Sequence, residues 1–175
     1  MHELTILGIG NILQGDDGIG VYATAFLKKN YDFSPNIHFK EGGVAGMALL
    51  DTIEETRSLI ILDSIEIDDA PGSIYMIPAN ELGGYGINCG GAHEIGVLEC
   101  LDMLELQGKE LPNATVIGIV PQEIDLHVGL SAPLKEHFDD YIKTVISAIT
   151  ELDFKIEKRE KQYSLQEIID RFKDC

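Results

Sequence analysis

Short, nearly continuous apolar runs alternate with longer amphipathic stretches along the whole chain. Runs of this kind are typical of strands that are buried on both faces of a sheet. Three strong strand patterns lie at residues 4–9, 59–62 and 115–120, and two weaker ones at 37–40 and 74–77. Helical patterns lie at 19–29, 47–55, 93–106 and 132–152. The alternation predicts an α/β fold, a three-layer αβα sandwich with a mostly parallel, roughly five-stranded twisted sheet.

The chain has 175 residues, which is the length of a single domain. We expect the αβα domain to occupy residues 1–152. Residues 153–175 are densely charged and predict a frayed C-terminal extension with, at most, one short amphipathic helix. The glycine-rich segment 79–92 predicts a loop.

Composition excludes several classes of function. The sequence carries 30 Asp and Glu against 13 Lys and Arg, a net charge of −17, which argues against a nucleic-acid partner. No run of about 18 uncharged apolar residues is present, so no membrane span is expected. The N-terminus lacks the basic region of a secretory signal, and three cysteines cannot all pair within the chain. These features predict a cytoplasmic protein.

Acidic residues and a histidine follow several of the predicted strands. Asp16 and Asp17 follow the first strand, Asp63 ends the third, and His93 opens a helix. Because ligands bind beyond the carboxyl ends of parallel strands, we expect Asp17, Asp63 and His93 to converge at one edge of the sheet. Two carboxylates and one imidazole suit a divalent transition metal with open coordination positions. Asp16 also fits a solvated turn or a helix N-cap.

Other kinds of site fit the sequence less well. The glycines after the first strand have the spacing Gly-x-Gly-x-x-x-x-Gly rather than that of a dinucleotide fold, and two aspartates stand where a pyrophosphate would bind. A thiolate–imidazolium pair of Cys89 and His93 is an alternative without an evident orienting residue. Val97 stands four residues after His93, so the zinc-protease motif His-Glu-x-x-His is absent.

Several motifs together resemble the hydrogenase maturation endopeptidases, over roughly residues 3–150. The motifs are Gly8-Ile9-Gly10-Asn11-Ile12-Leu13-Gln14-Gly15-Asp16-Asp17-Gly18-Ile19-Gly20, Glu41-Gly42-Gly43-Val44-Ala45-Gly46-Met47, Asp63, Ala70-Pro71-Gly72, His93-Glu94-Ile95-Gly96 and Ile119-Val120-Pro121-Gln122. The resemblance implies that Asp17, Asp63 and His93 are metal ligands and that Asp16 occupies the adjacent acidic position. Glu41 stands where members often carry Asp, and Gly91-Ala92 stands where many carry Pro before the histidine.

The resemblance also implies an activity, namely removal of a C-terminal peptide from the nickel-loaded precursor of a [NiFe] hydrogenase large subunit. The nickel would arrive with the substrate and act as the recognition signal, and no nucleotide cofactor is implied. Two mechanisms stay open: polarisation of the carbonyl or of a water by the metal, and general-base catalysis by the carboxylate of Asp17 or Asp16, as in an aspartyl protease. A non-enzymatic nickel-delivery or docking protein is the alternative function.

Overall fold

A computed structural model describes residues 1–43, 46–84 and 92–174, with the backbone alone at 92–95. Its five-stranded sheet comprises β1 (His2–Ile9), β3 (His38–Gly43), β4 (Thr56–Ser64), β5 (Ile74–Pro78) and β6 (Asn113–Ile119), in the order β3-β1-β4-β6-β5. The helices are α1 (Ile19–Asn30), α2 (Leu50–Glu54), α3 (Ala92–Leu106), α4 (Ala132–Glu151) and α5 (Leu165–Lys173). Short 3₁₀ helices span Gly15–Gly18, Gly46–Leu49 and Ala79–Gly84. The strand β2 (Tyr31–Ser34) pairs separately with β7 (Lys155–Lys158).

The sheet is covered by helices on both faces, as the near-continuous apolar runs predict. Alternate residues of β1 enter different cores: Leu4 and Ile6 pack with α1, α4 and α5, whereas Leu7 and Ile9 pack with α2 and α3. The three-layer αβα prediction is confirmed. No helix within the described ranges has the length and apolar character needed to cross a membrane.

The strand β5 runs antiparallel to β6, while the other three pairings of the sheet are parallel. Residues 65–73 join β4 to β5. This connection is shorter than the dozen or more residues that a parallel crossover requires. The strand that precedes His93 is β5, and it therefore ends at the edge of the sheet where β1 and β4 begin. The start of α3, which carries His93, nevertheless lies at the carboxyl edge, against the segment that follows β3. The expectation that a parallel strand leads directly to His93 was wrong.

The C-terminal extension is ordered, so the expectation of a frayed segment was wrong. Its strand β7 pairs antiparallel with β2. Its helix α5 begins with a capping box between Ser164 and Glu167, and its buried face packs against α1. Ile168 and Ile169 are each 1% exposed. The amphipathic stretch is short, but α1 and the β2 strand provide partners that local charge density does not reveal. In the glycine-rich segment, Ala79–Gly84 is a 3₁₀ helix, and residues 85–91 lie outside the described part.

Candidate active site

The glycine-rich block after β1 allows unusually close packing of backbone against backbone. A Cβ at Gly10 would lie 1.8 Å from the carbonyl oxygen of Asp17, and Gly10 has φ +127, which favours glycine. A Cβ at Gly20 would lie 2.0 Å from the carbonyl oxygen of Leu62. The glycines thus bring the Gly15–Gly18 turn and the start of α1 directly against the end of β4.

Asp17 lies in this turn and is 1% exposed. Its Oδ2 accepts a hydrogen bond from the backbone N–H of Asn11 at 2.9 Å, and its Oδ1 accepts one from the Ser64 hydroxyl at 3.2 Å. A buried carboxylate is costly unless it is hydrogen-bonded or paired with a cation. These donors hold the Asp17 carboxylate towards the end of β4.

Asp63 is the penultimate residue of β4 and is fully buried. Its Oδ1 accepts a hydrogen bond from the Ser64 backbone N–H at 2.8 Å and lies 3.5 Å from the position of a Cβ on Gly10. Ser64 therefore contacts the carboxylates of both Asp17 and Asp63. Two of the three predicted metal ligands come together at the carboxyl edge of the sheet.

His93 lies in the first turn of α3, and its side chain falls outside the described residues. The start of α3 packs closely on the segment after β3, since a Cβ at Gly96 would lie 2.8 Å from the Cα of Gly46. This backbone contact places the beginning of α3 at the same edge of the sheet as the ends of β1 and β3. Among the side chains that are described, no three His, Cys, Asp or Glu residues group to hold a metal. The predicted ligand role of His93 stays a prediction.

Asp16 is fully buried but faces a different part of the chain, the β6–α4 loop (residues 120–131). Its Oδ2 accepts from the backbone N–H groups of Gln122 and Glu123 at 2.9 and 3.1 Å and from the Ser131 hydroxyl at 2.7 Å. Its Oδ1 accepts from the Ser131 N–H at 2.7 Å. The Asp16 backbone N–H in turn donates to the Glu123 carbonyl at 3.1 Å. Four donors on one carboxylate tie the turn to this loop.

An open groove adjoins the Asp17 turn. It has a volume of ≈ 360 Å³ and is lined by Gly10, Asn11, Ile12, Leu13, Val21, Glu41 and Gly43. Glu41 is exposed on β3, where it pairs in register with Gly8. The groove can therefore present both a carboxylate and backbone groups to a ligand beside Asp17.

The described cysteine does not fit a nucleophile. Cys100 is buried in α3, where its Sγ lies 3.7 Å from the Gly46 carbonyl oxygen and from the Met47 sulfur. Burial, with a smaller contribution from the charge of Glu99, raises the pKa of the Cys100 thiol. Cys89, the cysteine of the alternative thiolate pair, lies outside the described residues.

Two features near the site were missed at the level of the sequence. One is Ser64, because a serine after a buried strand is not distinguished by any pattern. The other is His127, whose Nδ1 lies 2.6 Å from the Asp125 Oδ1 and whose ring lies beside Gly15. The sequence signal for this pair is that Asp125 and His127 lie in the loop that follows the carboxyl end of a predicted strand.

Comparisons with known proteins agree with this architecture. The family model described as "HycI: Hydrogenase maturation protease" matches residues 21–148. The chain is 29% identical over 150 residues to "Hydrogenase 2 maturation protease" of Escherichia coli K12, covering 85% of this chain and 92% of that protein. It is 30% identical to "Hydrogenase expression/formation protein HupD" of Rhizobium leguminosarum, covering 84% of this chain and 74% of that protein.

Solved structures show the same likeness over most of the chain. The E. coli hydrogenase maturating endopeptidase HybD superposes with a TM-score of 0.82 at 28% identity, covering 90% of this chain and 98% of that one. The [NiFe] hydrogenase maturation protease HybD from Thermococcus kodakarensis gives a TM-score of 0.68 at 25% identity, covering 83% and 98% of the two chains. The chain therefore belongs to the hydrogenase maturation protease family and is a peptidase.

Proposed function

We propose that this protein removes a C-terminal peptide from the nickel-loaded precursor of a [NiFe] hydrogenase large subunit. Its membership of a protease family supports hydrolysis of a peptide bond. The names of its relatives, such as "Hydrogenase 2 maturation protease", support a hydrogenase precursor as the substrate. The cytoplasmic location that the cysteine usage indicates stays a prediction.

The observation that carries this proposal is the meeting of two buried carboxylates, those of Asp17 and Asp63, at Ser64. Two neighbouring negative charges with little access to water attract a cation more strongly than either alone. In the proposal, Asp17 and Asp63 each provide oxygen to the nickel that the precursor carries, and His93 provides nitrogen. A carboxylate–imidazole set is suited to a first-row divalent metal.

In this scheme the nickel belongs to the substrate, and its ligation by the protease aligns the precursor. The bound metal supplies positive charge that can polarise the scissile carbonyl or a water molecule. A free enzyme that holds three ligands with open positions binds divalent ions weakly, so metal-free precursor is not retained. The groove beside Asp17 then receives the adjoining peptide, with Glu41 at its wall.

The two adjacent aspartates receive different roles in this proposal. Asp16 gives both oxygens to four donors of the β6–α4 loop, so it is poorly placed to take a proton from water. We therefore assign Asp16 the positioning of this loop and keep Asp17 as the carboxylate that acts at the site. Activation of water by the metal and by the Asp17 carboxylate are both compatible with this assignment.

The test is incubation of the purified protein with nickel-loaded precursor and, separately, with metal-free precursor, without added nucleotide. Mass spectrometry of the precursor should show loss of a C-terminal peptide only from the nickel-loaded form. Equal cleavage of both forms would contradict nickel recognition. No cleavage of either form would support the alternative of a delivery or docking protein.

Substitution of the three proposed metal ligands tests whether cleavage depends on them. We expect Asp17→Asn, Asp63→Asn and His93→Ala to retain the fold, measured by circular dichroism, and to lose cleavage of the nickel-loaded precursor. Cys89→Ser is the control and should cleave normally. Normal processing by all three site variants would contradict the proposed ligand set, and an inactive Cys89→Ser would instead favour the thiolate mechanism.

A further inference from the structure

Asp17 and Asp63 are buried carboxylates that bond to the same residue, and like charges near one another repel when no cation lies between them. We propose that Ser64 is a positioning residue that holds Asp17 and Asp63 in the geometry that a divalent cation requires before the cation arrives. This inference rests on the metal site of the proposed function and assigns a role to a residue outside the ligand set. It concerns the arrangement of the ligands rather than the hydrolytic step.

Ser64 offers two donors to two different carboxylates. Its backbone N–H donates to the Asp63 Oδ1 at 2.8 Å, and its hydroxyl donates to the Asp17 Oδ1 at 3.2 Å. Hydrogen bonds from neutral donors to carboxylates partly offset their mutual repulsion and fix their rotamers. A single residue thus connects ligands that are 46 positions apart in the sequence.

The position of Ser64 itself is set by the sheet. It is the last residue of β4, is fully buried and pairs in register with Ile119 of β6. Its backbone therefore stays in place when the ligands are not bound to a cation. The donors of Ser64 act as fixed points, and the two carboxylates are oriented towards them.

The hydroxyl of Ser64 is the part of this arrangement that substitution can remove. The backbone N–H of Asn11 also donates to Asp17, at 2.9 Å to Oδ2, and Ser64→Ala leaves this donor in place. In Ser64→Ala the Asp17 carboxylate keeps this backbone bond but loses the hydroxyl bond to Oδ1. Its rotation towards or away from Asp63 is then less restricted.

The same strand provides a matched control at its other end. Thr56, the first residue of β4, is 4% exposed, and its Oγ1 lies 2.7 Å from the Thr5 Oγ1 and donates to the Thr52 carbonyl at 2.8 Å. Thr56→Val removes a buried hydroxyl whose hydrogen bonds, among the described residues, go to Thr5 and Thr52 rather than to a carboxylate. It therefore separates the general effect of losing a buried hydrogen bond from the specific effect at the site.

The experiment is calorimetric titration of the purified full-length protein with Ni²⁺ alone. We expect Ser64→Ala to weaken Ni²⁺ binding about tenfold, the lower end of the effect of losing an outer partner of a metal ligand. Ser64→Thr, which keeps a hydroxyl on the same carbon, and Thr56→Val should bind Ni²⁺ as the unmodified protein does. Unchanged binding by Ser64→Ala, together with weakened binding by Asp17→Asn, would overturn the role of Ser64 and leave the metal site intact.

A second measurement avoids any risk that Ser64→Ala fails to fold. Zn²⁺ is diamagnetic, so amide NMR spectra of the unmodified protein can be followed during a Zn²⁺ titration. The amide signals of Asn11 and Ser64, which donate to the two carboxylates, should shift together and saturate at the same Zn²⁺ concentration. A shift of the Asn11 amide without a shift of the Ser64 amide would overturn the role of Ser64, whereas Zn²⁺ binding that leaves both amides unmoved would contradict the metal site. Ni²⁺ binding unaffected by Asp17→Asn would contradict the proposed metal site itself.

Discussion

The two sides of the Gly15–Gly18 turn present neighbouring, identical residues to different surroundings. Asp16 faces the β6–α4 loop and accepts hydrogen bonds from three residues of that loop: Gln122, Glu123 and Ser131. Asp17 faces the end of β4 and shares Ser64 with a second carboxylate, that of Asp63. Both side chains are buried, so burial alone does not distinguish them.

The two aspartates differ in the groups that surround each carboxylate. When N–H and O–H donors surround a carboxylate, their dipoles offset its negative charge, and the hydrogen bonds stabilise the fold. A carboxylate placed beside a second carboxylate is suited to a cation. Substitutions on the two sides of the turn should therefore separate activity from stability.

The largest effect is expected at Asp17. Asp17→Asn should reduce cleavage of nickel-loaded precursor by more than roughly 100-fold. That factor is the upper end of the effect of losing a residue that hydrogen-bonds a metal ligand, and Asp17 is itself a proposed ligand. Its free energy of unfolding should not fall, because the substitution removes one of two like charges. Cleavage rates and urea denaturation of the same preparation measure both quantities. A loss of stability as large as that of Asp16→Asn would contradict the division between the two sides.

The next largest effect is expected at Asp16. Asp16→Asn places an amide NH₂ against backbone donors and should lower the free energy of unfolding by about 3 kcal/mol. Urea denaturation followed by circular dichroism measures it. Asp32→Asn is the control, since Asp32 is exposed and forms a surface pair with Arg159 at 2.9 Å. A change at Asp16 within about 0.5 kcal/mol, the usual range for surface substitutions, would show that this carboxylate is not a structural anchor.

Binding of Ni²⁺ should stabilise the folded protein through Asp17 and not through Asp16. At ten times its dissociation constant, Ni²⁺ should raise the free energy of unfolding by about 1.4 kcal/mol, and a chelator should reverse the gain. Thermal unfolding with and without Ni²⁺ measures it. Asp17→Asn should lose this stabilisation. If Asp17→Asn is stabilised by Ni²⁺ as much as the unmodified protein, the ion binds elsewhere.

The smallest effect is expected at Ser131. Its hydroxyl bonds to Asp16 at 2.7 Å, and no side-chain cap bond to α4 is formed. Ser131→Ala keeps the backbone bond to Asp16 and should lower the free energy of unfolding by about 1 kcal/mol, with cleavage retained. Ser73→Ala, which removes an exposed hydroxyl bond to the Ala70 carbonyl, is the control. Equal losses in the two variants would indicate that Ser131 contributes only a surface bond.

Much of the architecture was predictable because its signals are local. The run at residues 4–9 predicts a strand buried on both faces, and Leu4 and Leu7 of β1 do enter opposite cores. The family was also predictable, since the glycine and aspartate spacing after β1 is specific. The direction of β5 and the burial of Ile168 and Ile169 were not, because both depend on elements distant in the sequence.

The candidate site was predictable only in part. The positions of Asp17 and Asp63 at the carboxyl edge follow from strand ends, which apolar runs reveal. The role of Ser64 was not accessible, because its hydroxyl meets Asp17 only after β1 and β4 pair. The ligand role of His93 stays a prediction from the resemblance.

By itself, the sequence determined the layered sheet, the edge at which acidic residues gather and the protease family. These depend on residue periodicity and on short motifs, which are properties of neighbouring residues. The tertiary structure alone decided that Asp16 anchors a loop while Asp17 meets Asp63. The directions of two adjacent side chains in a turn follow no periodicity, since they depend on which distant segments pack against each side.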